Sequence, residues 1–375
     1  MPKHPAQAFI PIRLSLKEAL RKKLLVWYSH YRRDLPWRKT KDPYAVWLSE
    51  VMLQQTQVQT VVPYYLRFLN AFPTIEDLAG ADTQELLRTW AGLGYYSRAR
   101  NLQLAAREMI RGHGGKFPSS YSGALSLPGI GRYTAGAILS IAFDLPYPVL
   151  DGNAIRVLSR MFEIKGDTKK THVQKLLWEY SRELVPNQHP GDFNQAIMEL
   201  GALVCSPRQP RCPLCPWQSE CVARKNGTQD LLPVKRRMNR VRRVNCAVAV
   251  LSHRGRVLII KRNKGRLLRD FWEFPGVEFN GTRTVRAALS RCVFETVGLK
   301  IRLLKPLAEI KHTITHRRII LLPFRAQLKP GSASRVSRPG EAKWVRPEDL
   351  EKFPFASASR KIVRMLQSDP RHSYQ

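Results

Sequence analysis

The stretch CSPRQPRCPLCPWQSEC, residues 205–221, places four of the chain's six cysteines in one loop. Six, two and five residues separate Cys205, Cys212, Cys215 and Cys221 in turn. Thiolates repeated within a single loop hold zinc or an iron–sulfur cluster, so the spacing predicts a metal site of either kind. Disulfides are disfavoured, because the N-terminus has no apolar signal segment and a chain this long builds a core without them.

The charge of the chain indicates a polyanionic partner. Lysine and arginine outnumber aspartate and glutamate by 63 to 29 in 375 residues, a formal charge of +34. The basic residues are spread through helices and turns without an amphipathic membrane face, which favours nucleic acid over an anionic membrane. We expect no membrane span and a monomer of two or three domains. The N-terminus carries no organelle-targeting pattern, which predicts a bacterial cytoplasmic location and leaves a nuclear one open.

The pattern of apolar residues changes once along the chain. Residues 1–224 show helical spacing, enough for about ten helices, with Pro and Gly between them. Residues 225–243 are polar, basic and aperiodic, as in a linker. Residues 244–375 contain alternating or apolar runs typical of strands, interrupted by one amphipathic helix. The predicted fold is therefore an all-α region followed by a smaller α+β domain.

A glycine hairpin joins two of the predicted helices. In LPGIGRYTA, residues 127–135, Gly129 and Gly131 stand one residue apart at the start of a helix. Glycine permits close backbone approach to a ligand, and the first amides of a helix bind anions. Such a hairpin binds a backbone phosphate of a nucleic acid independently of the base sequence. A plain helical hairpin is the alternative, and only the combination with the cysteine loop makes the phosphate interpretation specific.

Two carboxylates are candidates for acid–base chemistry. Asp42–Pro43 starts a predicted helix that ends at Pro63, and on it Glu50, Gln54 and Gln57 share one face among apolar residues. Apolar surroundings raise the pKa of a carboxyl, although a solvated polar face explains this pattern equally well. Asp151 heads another helix and could serve as its cap or in catalysis.

Several motifs together carry a family resemblance. The hairpin and the cysteine loop resemble the helix-hairpin-helix DNA glycosylases with a [4Fe–4S] loop, the superfamily of endonuclease III and MutY. Within it, the chain is similar to the MutY-type adenine DNA glycosylases through LPW (35–37), WLSEVMLQQTQV (47–58), GLGYYSRARN (92–101) and LDGNAIRVLSR (150–160). The resemblance implies a [4Fe–4S] cluster on the four cysteines.

The resemblance also assigns roles to the carboxylates. It implies that Glu50 protonates adenine and that Asp151 stabilises the oxocarbenium-like sugar, with Asn153 and Tyr133 supporting Asp151. In glycosylases that also nick the backbone, a lysine occupies the place of Tyr133 and attacks the sugar. A phenol cannot form a Schiff base, so the sequence predicts a monofunctional glycosylase. The family's base contacts match Trp37, Arg38, Leu53 and Gln195 for adenine, and Gln55 and Tyr95 around the opposite base.

The C-terminal part resembles the Nudix fold. FWEFPG (271–276) is followed by a helix that keeps Glu295 but has Cys292 and Thr296 where Nudix hydrolases carry further glutamates. One carboxylate does not hold a catalytic magnesium set, so nucleotide hydrolysis is not expected. The resemblance instead implies inspection of 8-oxoguanine by a short turn, here HTITH (312–316). Thr315 and His316 are its candidate contacts, although Ile314 and Thr315 depart from the usual Phe-Ser pair.

The leading hypothesis is therefore an enzyme that removes adenine paired with 8-oxoguanine or guanine from duplex DNA and so initiates base excision repair. One alternative is another glycosylase of the superfamily, acting on thymine mismatches or oxidised pyrimidines. A second is a non-catalytic iron–sulfur scaffold that binds DNA. Tyr133 and the Nudix-like part disfavour the first, and the two intact carboxylates disfavour the second.

Overall fold

The computed structural model describes residues 8–234, 242–262, 270–279, 285–314, 317–332, 334–337 and 341–368. The chain divides into two compact units. The first comprises residues 1–80 and 100–237, and the second comprises residues 81–99 and 238–375. The division predicted from sequence, with boundaries at 224 and 244, stays a prediction. Strand β1 begins at Arg242, inside the predicted linker.

The first unit is helical. Its helices, with α5 of the second unit included for chain order, are α1 (Leu14–Tyr31), α2 (Pro43–Leu53), α3 (Val58–Ala71), α4 (Ile75–Gly80), α5 (Thr83–Trp90), α6 (Ser97–Gly112), α7 (Tyr121–Ser126), α8 (Arg132–Phe143), α9 (Gly152–Met161), α10 (Thr171–Leu184), α11 (Pro190–Leu203) and α12 (Val222–Lys225). Helix α2 is apolar on all sides and nine of its residues are buried, as expected of a central helix. It packs against α3 and α8, while α11 packs against α1, α8 and α9.

The predicted helix from Asp42 to Pro63 is wrong. Asp42 caps α2 through Tyr44 N and Ala45 N, as predicted, but the helix ends at Leu53. Gln55 then adopts a left-handed φ of 59°, and α3 continues through Pro63 to Ala71. The helix therefore breaks at glutamines rather than at proline, and Glu50, Gln54 and Gln57 do not share a helix face.

The described residues of the second unit form an eight-stranded sheet and two long helices. The strands are β1 (Arg242–His253), β2 (Arg256–Lys261), β3 (Trp272–Glu273), β4 (Gly276–Phe279), β5 (Ile301–Pro306), β6 (Ile310–Ile314), β7 (Arg317–Leu328) and β8 (Ala342–Val345), and the helices are α13 (Val285–Val297) and α14 (Ser357–Ser368). β1 runs parallel to β7 and antiparallel to β2 and β4; β5 and β6 pair with β7, and β3 and β8 pair with β2.

Alternation along β1 builds an apolar core on each face of the sheet. Val248 and Val250 pack with Ile362 of α14, whereas Ala247 and Ala249 pack with Leu289 of α13. The predicted class, an all-α region followed by an α+β domain, is confirmed. Among the described residues, no helix has the length and apolar character needed to cross a bilayer.

Candidate active site

A cavity of about 540 Å³ in the first unit collects most of the predicted site residues. Its walls come from the short 3-10 helix at residues 36–38, the end of α2, the start of α8, the start of α9 and the middle of α11. The predicted residues that line it are Trp37, Arg38, Glu50, Leu53, Gln55, Tyr133, Asp151, Asn153 and Gln195. Segments far apart in sequence therefore converge on one cavity.

Glu50 lies near the end of α2 with only 4% of its surface exposed. The phenol of Tyr133 donates a hydrogen bond of 2.5 Å to Glu50 Oε2. Burial raises the pKa of Glu50 to about 7; the Tyr133 hydrogen bond opposes the rise and the charge of Asp151 adds to it. A carboxyl with this pKa keeps a proton near neutral pH, which is the state that a general acid requires.

Tyr133 stands in the first turn of α8, directly after the glycine hairpin. Its hydroxyl also lies 3.3 Å from Met198 Sδ. Burial, followed by the nearby charges of Glu50 and Asp151, raises the pKa of Tyr133 well above its ordinary value. The phenol therefore stays protonated and acts as a hydrogen-bond donor, not as a nucleophile.

Asp151 is the N-cap of α9, which is one of its two predicted roles, and it also lines the cavity. Asp151 Oδ1 accepts a 2.7 Å hydrogen bond from Ala154 N, and Oδ2 accepts one of 2.9 Å from Asn153 Nδ2. Burial raises the pKa of Asp151, while these donors and the charge of Arg156 favour the carboxylate. The cap geometry thus fixes the direction of a carboxylate that also lines the cavity.

Arg156 connects this carboxylate to the cysteine loop. Its Nη2 donates to Asn153 Oδ1 at 2.7 Å, and its Nε donates to the carbonyl of Cys205 at 2.7 Å. Asn153 in turn donates to Asp151. The spacing of three on α9 places Asn153 and Arg156 on one face, so the sequence carried a signal for this pair that the prediction did not use.

Glu199 is a cavity residue that the sequence analysis missed. It is 1% exposed and forms hydrogen-bonded ion pairs with Arg33 at 2.6 Å and Arg38 at 2.9 Å. Burial alone would raise the pKa of Glu199, but the hydrogen bonds from Arg33 and Arg38 hold it at about 2. Its spacing of four from Gln195 on α11 was the available signal. In the described part of the chain, Arg38 Nε is a buried donor with no acceptor.

The aromatic and amide residues of the cavity have different settings. Trp37 is buried and packs edge-on against Tyr65, with ring centroids 5.3 Å apart. Gln55 is exposed at the rim and has left-handed backbone. Tyr95 lies in the second unit, while Thr315 and His316 lie outside the described residues, so their predicted contacts stay predictions.

The predicted phosphate hairpin connects α7 to α8. Gly129 has a φ of 80°, and a side chain there would meet Asn101. Gly131 is the N-cap of α8, and no side chain caps that helix end. A Cβ at Gly131 would meet open space, so the backbone there can be approached closely. These features fit a backbone site for an anion.

The four cysteines line one cavity together with Arg160 and Trp217. Arg160 is 2% exposed, and its Nη1 donates to Cys205 Sγ at 3.2 Å. Within the described ranges, no three His, Cys, Asp or Glu side chains are grouped closely enough for a single metal ion. Four cysteines around one cavity, beside a buried guanidinium, suit a metal centre with thiolate ligands.

The Nudix-like segment has side-chain partners of its own. Glu273 pairs with Arg262 at 3.0 Å, and Cys292 Sγ donates to the carbonyl of Gly276 at 3.2 Å. Glu295 is exposed on α13.

Comparisons with known proteins agree with both predicted parts. Residues 48–183 match the family described as "HhH-GPD superfamily base excision DNA repair protein", and residues 246–365 match the NUDIX domain. The adenine DNA glycosylases of Rattus norvegicus and Homo sapiens are each 36% identical to the chain. These alignments cover 94% and 93% of this chain and 79% and 74% of those proteins. A solved thermostable thymine-DNA glycosylase is 31% identical, with a TM-score of 0.52 over 56% of this chain and 97% of its own.

Proposed function

The chain belongs to the adenine DNA glycosylase family, and from that premise we propose that it flips adenine out of duplex DNA opposite 8-oxoguanine or guanine and removes it by hydrolysis. The observation that best supports the proposal is the buried carboxyl group of Glu50, which has a pKa of about 7 and lines the same cavity as Asp151. N-glycosidic hydrolysis needs a proton for the departing base and an anion that faces the sugar as it becomes positive.

The cavity offers each of these groups to an extruded nucleotide. Glu50 donates its proton to a ring nitrogen of adenine, and the Tyr133 hydroxyl donates a hydrogen bond to the carboxylate that results. Asp151, kept in place by Ala154 N and Asn153, faces the oxocarbenium-like sugar until water attacks it. A transient covalent bond to Asp151 is compatible with the same position.

The adenine pocket is the arginine-rich side of the cavity. Arg38 holds Glu199 with one end of its guanidinium and has a free buried donor at Nε. A buried donor without an acceptor favours a ligand that supplies one, such as a ring nitrogen of adenine. Trp37, Leu53 and Gln195 complete the walls. Gln55, Tyr95, Thr315 and His316 are proposed to contact the opposite base and its strand.

We propose a monofunctional reaction. The hairpin position used by lysine in strand-cleaving relatives carries Tyr133, whose phenol donates a hydrogen bond to Glu50 and keeps its proton. Borohydride reduction during turnover should therefore trap no protein–DNA adduct. A trapped adduct in the wild type would show an amine nucleophile and refute this part of the proposal.

The proposal includes a [4Fe–4S] cluster held by Cys205, Cys212, Cys215 and Cys221. When bound, the cluster would fix the loop through its bonds to the four thiolates, and hydrolysis needs no electron transfer. The buried guanidinium of Arg160 beside Cys205 Sγ balances the negative charge of such a cluster. Replacement of Cys212 by serine should abolish the visible absorbance of the purified protein, with Cys246→Ser as the matched control. Equal absorbance in both variants would count against this ligand set.

We also propose that the protein is a monomer located in a bacterial cytoplasm. It binds duplex DNA and does not associate with a membrane. Size-exclusion chromatography with light scattering, without DNA and with a short duplex, tests the monomer. Elution as a dimer without DNA would contradict it.

One experiment separates the candidate functions. The protein is incubated with duplexes that carry 8-oxoguanine:adenine, guanine:adenine, guanine:thymine or thymine glycol, and alkali then cuts wherever a base has been lost. We expect cutting at adenine in the first two duplexes. Glu50→Gln should bind the same duplexes and release no adenine, whereas Glu76→Gln, at an exposed carboxyl on α4, should resemble the wild type. Cutting at thymine or thymine glycol would favour the alternative glycosylases, and no cutting at all would favour a scaffold.

A further inference from the structure

A loop in the second unit presents Tyr95 in a backbone conformation that tyrosine rarely adopts. Tyr95 has a φ of 46° and is 43% exposed, and it follows Gly92 and Gly94 with φ values of 116° and 72°. A bulky residue in the left-handed region persists only where its surroundings fix it. The contacts of residues 91–96, here called the Tyr95 loop, therefore indicate what holds the ring outward.

Part of the support comes from residues next to the loop. Trp90 Nε1 donates to Gly94 O at 3.1 Å, and Arg98 Nη2 donates to Leu93 O and Gly94 O at 3.2 Å each. The Arg98 guanidinium also lies 5.6 Å from the centre of the Tyr95 ring. These contacts tie the loop to α5 and to the start of α6.

The remaining support comes from the C-terminal part of the same unit. Arg360, on α14, donates from Nη1 to Ala91 O at 3.0 Å. The Phe271 ring packs against the ring of Tyr96, with centroids 4.3 Å apart and planes at 54°. Phe271 is 1% exposed and is not among the residues of either apolar core of the described sheet. Its buried ring thus serves the Tyr95 loop.

Helix α5, which leads into the loop, is fixed at its other end as well. Gln84 donates from Nε2 to Asp270 O at 3.2 Å, and its Oε1 accepts from Trp272 Nε1 at 3.0 Å. Both the nitrogen and the oxygen of the Gln84 side-chain amide therefore form hydrogen bonds with the segment that opens the Nudix-like motif. Three consecutive residues, 270–272, contact α5 or the Tyr95 loop, and Arg360 holds the loop from a separate helix.

We propose that Phe271, Trp272 and Arg360 are positioning residues for Tyr95, so that the C-terminal domain sets the aromatic wedge which meets DNA opposite the excised adenine. This rests on the proposed function, in which Tyr95 contacts the opposite base and its strand, and it takes that contact to be insertion of the ring beside the base. The start of the Nudix-like motif then serves to hold the Tyr95 loop. Discrimination of the opposite base and insertion of Tyr95 become one linked event.

The test uses the full-length protein and duplexes with 2-aminopurine beside 8-oxoguanine, whose fluorescence rises when Tyr95 unstacks it. Arg360→Gln removes the donor to the loop, and Trp272→Phe keeps an aromatic ring but removes the N–H that Gln84 accepts. Arg364→Gln, at an exposed arginine one turn further along α14, is the matched control. We expect Arg360→Gln and Trp272→Phe each to lower the fluorescence rise, and the rate preference for 8-oxoguanine:adenine over guanine:adenine, by roughly fivefold, the scale of one hydrogen bond.

A double-mutant cycle with Tyr95→Ala separates positioning from a general structural effect. In the Tyr95→Ala background, Arg360→Gln should change either readout by under about twofold, because the side chain that Arg360 is proposed to position is already absent. Equal effects in both backgrounds, or an unchanged fluorescence rise in Tyr95→Ala itself, would overturn the proposal. A wild type without preference for 8-oxoguanine would refute the proposed substrate alone, since the fluorescence with each variant still reports on Tyr95.

Discussion

Replacing Glu50 with glutamine should stabilise the folded protein at alkaline pH while it abolishes adenine release. Folding moves the pKa of Glu50 from 4.5 to about 7, chiefly through burial. Glutamine has the same shape, carries no charge and keeps an oxygen that accepts from Tyr133. The substitution therefore removes a titrating group and preserves the contact.

The magnitude follows from proton linkage. Below pH 4.5 both the folded and the unfolded chain carry the proton, so Glu50 makes no difference to stability. Between pH 4.5 and about 7 only the folded chain retains the proton, and the free energy of unfolding falls as pH rises. The loss is complete above the folded pKa and amounts to about 3 kcal/mol, at roughly 1.4 kcal/mol for each pKa unit. The Glu50→Gln variant has no titrating group at this position, so its free energy of unfolding does not fall in this way.

Urea unfolding, followed by helical circular dichroism from about pH 5 to pH 8, measures the effect. The difference between Glu50→Gln and the wild type should widen in favour of the variant as pH rises. Glu76→Gln, at an exposed position, should follow the wild type. Parallel curves for Glu50→Gln and the wild type across the whole range would mean that Glu50 ionises normally, and the assignment of Glu50 as the general acid would then fail.

Three further predictions concern other residues of the proposed machinery. Tyr133→Phe removes the donor that favours the Glu50 carboxylate, so the alkaline limb of the single-turnover rate should move to higher pH, by about one unit for a charged hydrogen bond; an unchanged limb or a move to lower pH would contradict this. Arg156→Gln should lower the adenine-release rate roughly tenfold with little change in DNA affinity, and full activity in a correctly folded variant would show that the connection to Asn153 is not needed. Thr315→Ala should reduce the preference for 8-oxoguanine:adenine over guanine:adenine, and equal preference in variant and wild type would refute the Thr315 assignment.

Local signals were enough to predict much of the fold and part of the site. The cap at Asp42, the hairpin at Gly129 and the cysteine spacing each depend on residues within a few positions of one another. The family resemblance supplied the roles of Glu50 and Asp151, and the structure places both in one cavity.

What the sequence did not reveal depends on contacts between distant segments. Glu199 meets Arg33 and Arg38 across more than 160 residues, and apart from its spacing of four from Gln195 nothing local distinguishes it from a solvated glutamate. The break after α2 falls in a run without glycine or proline, where Gln55 takes a left-handed conformation that a sequence pattern does not predict. The packing of residues 81–99 with the C-terminal part is likewise non-local.

The chemistry of the cavity comes from three carboxyl groups whose surroundings set them apart. Glu199 has two arginine partners, and its pKa of about 2 makes it a permanent anion that holds Arg38 in place. Glu50 is buried and accepts a hydrogen bond from the Tyr133 phenol, and because burial outweighs that bond, Glu50 keeps a proton to give. Asp151 accepts two hydrogen bonds at a helix start, which favour its charged form against the effect of burial. The charge of each of the three carboxyl groups depends on its own neighbours. Exchanging the hydrogen-bonding partners of any two of these groups should therefore disable catalysis, even though all three carboxyl groups remain.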